Sequence, residues 1–179
     1  MKKFFFSLVA VCAMLLSSCS NNGLEGTWLA DANEVMGEDM SKYDKCEFML
    51  TFDDGKVKLG VDCSGTTGQE KLSMELGFSL ECEGTYKQND DKLKLDFSKA
   101  KPSVNIYKFK VNADDATKKI LESMGMDEKS MKDQVQAQME SQDFAGNALI
   151  GEDELTIKLL EGDELVLVSD NKEYNLKRK

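Results

Sequence analysis

The sequence predicts an all-β domain whose antiparallel strands form an up-and-down barrel or a strongly curled sheet. Apolar and polar residues alternate over most of the chain, as in half-buried strands. Turn-forming pairs of Asp and Gly separate the alternating runs. Helical spacing appears in one region only, at about 114–142, where a two-helix insertion is expected. Counting the runs gives about six to nine strands, which suits a barrel of this type.

The first nineteen residues have the layout of an export signal. Lys2 and Lys3 precede an apolar run, and small residues lead into Cys19. The apolar run is about 13 residues long, whereas a bilayer-spanning helix needs roughly 20. The sequence therefore predicts a cleaved signal peptide over residues 1–18. An ordinary signal peptide with a chance cysteine near its cleavage site is the alternative.

The segment LSSC, Leu16–Cys19, resembles the lipobox of bacterial lipoproteins. The resemblance implies that Cys19 becomes the lipid-modified first residue and anchors the chain in the cell envelope of a Gram-negative bacterium. Ser20 follows the cysteine, which by the sorting rules of that group favours the outer membrane. Residues 19–25 then form a lipid-anchored tether of at most roughly 25 Å, so we expect the domain at 26–179 to lie close to the membrane.

Net charge argues against a nucleic-acid partner. The formal charge is −10, and Arg178 is the sole arginine. Removing residues 1–18 makes the remainder more acidic, since two lysines and no acid are lost. The chain therefore lacks the Lys and Arg clusters that hold phosphates, and a solvated surface is the simplest role for its acidity.

Residue types exclude much of catalytic chemistry. The chain contains no histidine, which removes Ser-His-Asp and Cys-His catalysis together with histidine metal sites. The phosphate-binding glycine pattern and the calcium-loop pattern do not occur. Acidic pairs such as Asp53 and Asp54 lie where turns or helix starts favour them, and no pair stands out as acid and base. We therefore expect no enzymatic activity, no metal and no other cofactor.

The first predicted hairpin brings two cysteines together. Residues 45–53 alternate, and Asp54-Gly55 forms a two-residue turn. Counted outward from this turn, the inward-facing pairs are Phe52 with Val57, Leu50 with Leu59, Phe48 with Val61, and Cys46 with Cys63. The cysteine pair falls at a non-hydrogen-bonded position, where Cα atoms approach to about 4.5 Å, a distance that a disulfide can bridge. In an oxidising compartment we expect a Cys46–Cys63 disulfide; two reduced core thiols are the alternative.

A long third strand is predicted from Leu72 to about Tyr86. Its inward-facing residues share one parity: Leu72, Met74, Leu76, Phe78, Leu80, Cys82 and Tyr86. With residues 64–70 as the connecting loop, Cys82 lies level with the first turn and roughly 30 Å from Cys63. This placement leaves Cys82 outside the disulfide as an inert core thiol, because a reactive thiol needs an electropositive, accessible setting.

The remaining elements follow from the same patterns. Residues 93–97 alternate, and a parity change within 104–111 indicates a bulge. Residues 114–124 form a first helix that ends at Gly125, and Asp127 caps a second helix to about Gln142. The predicted closing strands are 154–160, 164–169 and 173–177.

Gly26-Thr27-Trp28, at the head of this all-β domain, resembles the first-strand motif of lipocalins and the wider calycin group. In that group a tryptophan plugs one end of the barrel, and an arginine near the C-terminus often packs across it. The resemblance implies a lipocalin-like barrel over 26–179 with Trp28 and Arg178 as a barrel-end plug.

Two binding hypotheses remain, and the sequence favours the first. A hollow barrel would carry a small apolar ligand, with the methionines of the two helices as an adaptable flap; ordinary core packing is the alternative role for those methionines. The candidate ligand-binding residues are Phe48, Leu50, Leu59, Val61, Phe78, Leu80, Tyr86, Met124, Met131 and Met139. A filled barrel would instead be an interaction, scaffolding or inhibitor protein for an envelope partner. Strand count does not separate the two, since small barrels are either filled by side chains or hold one ligand.

Overall fold

The structure, a computed structural model, describes residues 23–36, 40–69, 72–141, 154–169 and 172–179. The predicted signal peptide over 1–18 and Cys19 lie outside these residues. The strands are β1 (Gly26–Asp31), β2 (Lys45–Asp53), β3 (Lys56–Gln69), β4 (Leu72–Asn89), β5 (Lys92–Asp96), β6 (Ser103–Ala113), β7 (Glu154–Glu161), β8 (Glu164–Ser169) and β9 (Lys172–Arg178). The helices are α1 (Ala32–Met36), α2 (Asp115–Ser123) and α3 (Glu128–Ser141). None of these described helices has the length and apolar character needed to cross a membrane.

Eight strands close into an antiparallel barrel, which confirms the predicted all-β, up-and-down fold with a helical insertion. The order round the ring is β1-β2-β3-β4-β5-β7-β8-β9, and β9 returns to β1. The strand β6 lies outside the ring, because it pairs with β4 along Leu72–Glu81 while β5 pairs with β4 along Thr85–Asn89.

The two ends of the barrel differ. One end, here called the Trp28 end, contains the start of β1, the end of β9 and the tight turns after β2, β4 and β7. The opposite end, here called the α1 end, contains α1, the start of β2, the end of β3, the start of β4 and the end of β6. Inward-facing side chains from all eight barrel strands form one core between them.

The β2–β3 hairpin has the register predicted from its turn. Asp53 pairs with Lys56, and Cys46 pairs with Cys63. Asp54 has a φ of 44° and Gly55 a φ of 75°, as a two-residue hairpin turn requires. The Cys46–Cys63 disulfide is present, with the Cα atoms 4.1 Å apart.

The predicted loop over 64–70 is wrong, and with it the register of β4. The strand β3 continues to Gln69, β4 begins at Leu72, and Cys82 pairs with Leu59. Cys82 is therefore about four residues along the sheet from Cys63, roughly 13 Å, rather than 30 Å. The β-branched pair Thr66 and Thr67 favours extended backbone, and the ladder satisfies backbone groups that a long loop leaves open. Cys82 is buried and outside the disulfide, as expected.

The predicted bulge lies where β6 meets β4. Gly77 pairs with Lys108 and Phe78 pairs with Ile106, so Tyr107 is the extra residue. Its ring lies over Gly77, where a Cβ atom would come 2.5 Å from Tyr107 Cε2. The Tyr107 hydroxyl donates to Asp62 Oδ1 at 3.0 Å on the outer face of β3.

Both predicted helices are present, with Gly125 and Asp127 at their predicted capping positions. Asp114 Oδ1 accepts from the Thr117 amide at 2.7 Å, and Asp127 Oδ1 accepts from the Ser130 amide at 2.7 Å. Gly125, with a φ of 72°, ends the first helix. The short helix α1 was not predicted, since five residues are too few to show a helical period.

Candidate functional site

The predicted lining residues on the strands all lie inside the barrel, packed against one another. Phe48, Leu50, Leu59, Val61, Phe78 and Leu80 are at most 1% exposed, and Tyr86 is buried at the Trp28 end. The interior cavity that these strands share with α1 has a volume of about 10 Å³. Its walls include Val35, Phe48, Leu50, Leu155, Leu167 and Tyr174. A space of this size holds about one water molecule, so the described side chains fill this part of the barrel.

The three helix methionines differ in their contact with these core residues. Met124, at the end of α2, is 62% exposed. Met131 and Met139 are half-buried on α3, which packs against β6, and Met139 contacts the edge of the core. No residue of α2 or α3 is fully buried. Helix α3 therefore packs against β6 and the edge of the core, whereas Met124 at the end of α2 is mostly exposed.

The Trp28 end is closed by contacts between the first and last strands. Trp28 is fully buried, and its Nε1–H donates to the Leu24 carbonyl at 2.7 Å. The Arg178 guanidinium lies 4.2 Å from the centre of the indole ring, within cation–π range. Arg178 also donates to the Glu25 carbonyl at 2.6 Å and to the Gly23 carbonyl. The structure thus brings Trp28 and Arg178 into contact at this end.

A second contact at the Trp28 end involves Glu25, to which the sequence assigned no role beyond the tether. The Tyr86 hydroxyl donates to Glu25 Oε1 at 2.6 Å, and the Asp54 amide donates to the same carboxylate at 3.3 Å. Burial, followed by the hydrogen bond to Glu25, raises the pKa of Tyr86 to about 12. The Phe52 ring packs edge-on against Tyr86 at 5.0 Å. Glu25 lies just before the Gly26-Thr27-Trp28 motif, but nothing in its local sequence signals a partner 61 residues away.

A cleft lies in the barrel wall near the α1 end, where β1 and β9 diverge. These strands pair only through Trp28 with Arg178 and Leu29 with Lys177. Beyond that point a cleft of about 690 Å³ opens, bounded by β1, α1, residues 43–47 and β9. Its charged lining residues are Asp31, Glu34, Asp44, Glu47, Lys45 and Lys177. No local sequence pattern predicts this cleft, because it depends on how the first and last strands pair.

Shifted pKa values elsewhere reflect caps and ion pairs. Hydrogen bonds from Asn112 and Lys108, with the charges of Lys108 and Lys110, lower the pKa of Glu75 to about 2. Helix-capping hydrogen bonds lower the pKa values of Asp114 and Asp127. Within the described ranges, no cluster of three or more Cys, Asp or Glu residues is arranged to hold a metal ion.

Comparison of the chain with protein-family models, with curated proteins and with solved structures finds no match in any of the three. The class of the protein therefore rests on its fold. An eight-stranded, closed, antiparallel barrel is compatible with a calycin-like barrel and with ligand binding.

Proposed function

We propose that this chain is a lipid-anchored lipoprotein of the cell envelope whose filled barrel acts as a protein-interaction module, without a small-molecule ligand and without catalytic activity. The observation that carries the proposal is that the cavity described between the barrel strands and α1 measures only about 10 Å³. Pockets for small molecules usually measure roughly 300–1,000 Å³. A carrier of an apolar ligand would therefore need the core around Phe48, Leu50 and Leu167 to move apart.

The proposed anchor, Cys19, fixes which end of the barrel faces the membrane. Arg178 donates hydrogen bonds to the carbonyls of Gly23 and Glu25, and the Leu24 side chain between them is fully buried. Only about four residues then separate the lipid from the first fixed residue, a span of roughly 14 Å at most. The Trp28 end is therefore proposed to lie against the membrane, favoured to be the outer membrane, with the α1 end and the cleft directed away from it.

Binding of indole to the lipid-free domain, residues 20–179, tests whether the interior is filled. We expect no saturable binding by calorimetry to the wild-type domain. The matched positive control is Leu167→Ala, which removes a fully packed side chain beside the cavity and creates space of the kind that binds small aromatic molecules. Stoichiometric, saturable binding of indole to the wild-type domain would contradict the proposal and favour the carrier.

A further inference from the structure

Among the described residues, the β1–β9 pairing stops before the end of β1 and leaves the cleft-facing backbone of β9 without a strand partner. The Lys179 amide donates to the Thr27 carbonyl at 2.9 Å, which sets the alternation of the antiparallel ladder. By this alternation Leu29 with Lys177 is the next hydrogen-bonded pair, and Asp31 with Asn175 would follow. The observed pairing stops at Leu29 and Lys177.

The backbone of Asn175 therefore faces the cleft. The Arg178 amide donates to the Asp163 carbonyl, so in the β8–β9 ladder the even-numbered residues of β9 bond to β8. Asn175 is paired with Val166 at a non-hydrogen-bonded position. The amide and carbonyl of Asn175 therefore point away from β8, to the edge of β9 that faces the cleft. No described strand pairs with that edge beyond Lys177. An exposed strand edge of this kind is a template for pairing with another chain.

The cleft has the size and charge to take a short extended segment. Its volume of about 690 Å³ lies in the range of binding pockets. Four carboxylates and two lysines line it. One of the lysines, Lys45, already forms an ion pair with Glu47, with 3.4 Å between Lys45 Nζ and Glu47 Oε1. The other lining charges are three carboxylates and one lysine. The cleft is therefore net negative, which attracts basic side chains and disfavours acidic ones.

From these contacts we infer that the cleft between β1 and β9 binds an extended, lysine- or arginine-bearing segment of a partner protein by adding it as a strand beside Asn175. In this mode main-chain hydrogen bonds supply affinity and flanking side chains supply specificity. The inference rests on the proposed function, because it names the surface through which the interaction module acts. That surface lies towards the α1 end, away from the proposed membrane contact.

Three synthetic peptides test this inference by fluorescence polarisation with the lipid-free domain. The first has four lysine–valine repeats, the second has four glutamate–valine repeats, and the third is the lysine peptide with all of its backbone nitrogens methylated. We expect the lysine peptide to bind, the glutamate peptide to bind at least about tenfold more weakly because of like-charge repulsion, and the methylated peptide to lose binding because it lacks N–H donors. Binding of the lysine peptide should shift the amide resonance of Asn175.

Variants of the domain separate backbone pairing from charge. Glu34→Gln with Asp44→Asn should weaken lysine-peptide binding about tenfold, whereas the matched pair Glu122→Gln with Asp133→Asn, on α2 and α3, should leave it unchanged. Asn175→Pro removes the amide at the cleft edge and should abolish binding. Asn175→Ala keeps that amide and should bind as the wild type does.

The inference is overturned if the lysine and glutamate peptides bind equally, if neither binds, or if the methylated peptide binds as well as its parent. The unmodified domain supplies each of these results, so the test does not depend on whether Asn175→Pro folds. Failure here leaves the filled-barrel proposal standing, because that proposal is judged by small-molecule binding and by native mass.

Discussion

Arg178 joins the two ends of the described chain at the Trp28 end. Its planar guanidinium stacks on the indole ring and donates in two directions to the carbonyls of Gly23 and Glu25. Gly26 makes this approach feasible, because its φ of 117° and missing Cβ leave room 2.8 Å from Arg178 Nη1. A lysine at this position keeps the charge but loses the fork of donors.

We therefore predict that Arg178→Lys lowers the free energy of unfolding by about 1–2 kcal/mol, through weaker stacking and at least one lost hydrogen bond. Urea unfolding of the lipid-free domain measures the change. Lys179→Ala, which removes a neighbouring exposed charge, should alter stability by less than about 0.5 kcal/mol. Equal stability of Arg178→Lys and the wild type would show that the plug adds little to the fold.

Tyr86 gives the Trp28 end a dependence on alkaline pH. Its pKa of about 12 in the folded state lies above the ordinary value of 10. Because the folded-state pKa is raised, its contribution to stability is complete below pH 10 and is lost as the pH rises towards 12. Tyr86→Phe should therefore be less stable at neutral pH and should lose less of its remaining stability between pH 10 and 12. Parallel stability–pH curves for the two proteins would contradict the role assigned to the Tyr86–Glu25 hydrogen bond.

Individual elements show where sequence reasoning succeeds and where it stops. The turn Asp54-Gly55 sets the β2–β3 register, and with it the disulfide, because turn geometry fixes pairing over short distances. The β4 register was mispredicted because glycines and threonines over 64–68 read as a loop, although they extend β3. The helix α1 and the cleft had no local signal, since one is too short to show a period and the other depends on contacts between distant strands.

The contact between β4 and β6 leads to a prediction at this scale. Gly77→Ala places a Cβ atom where the Tyr107 ring lies, so the ring must move and its hydrogen bond to Asp62 is lost. We expect a loss of about 1 kcal/mol in the free energy of unfolding. The same substitution in a Tyr107→Ala background should cost much less, and a double-mutant cycle of urea unfolding measures the difference. Equal costs in both backgrounds would contradict the close packing of these two residues.

At the scale of the whole molecule, the proposed membrane anchor at Cys19 lies close in sequence to the Trp28 end of the barrel. Whether lipid attachment depends on Cys19 can be tested in cells grown with a radioactive or alkyne-labelled fatty acid. The wild-type chain should incorporate label, and Cys19→Ala should incorporate none. Cys12→Ala, which changes the other cysteine of the leader, should incorporate label as the wild type does. Labelling that persists in Cys19→Ala would refute the lipobox assignment.

The proposed filled interior was the less favoured of the two sequence-based hypotheses, and composition offers no way to choose between them. Trp28, Phe48, Phe52 and Phe78 are fully buried, yet the same aromatic residues would suit the wall of a hollow barrel. Whether side chains meet across a barrel depends on strand tilt and on elements such as α1, from which Val35 reaches into the interior. These are properties of the closed ring rather than of any one strand.

The native mass of the lipid-free domain, residues 20–179, purified from a bacterial periplasm, tests the filled barrel most directly. Mass spectrometry under non-denaturing conditions, before and after solvent extraction of the lipid-free domain, should give the bare polypeptide mass both times. The domain should also keep this mass after incubation with a total envelope extract. A reproducible additional mass of a few hundred daltons that solvent removes would contradict the account and identify the protein as a carrier.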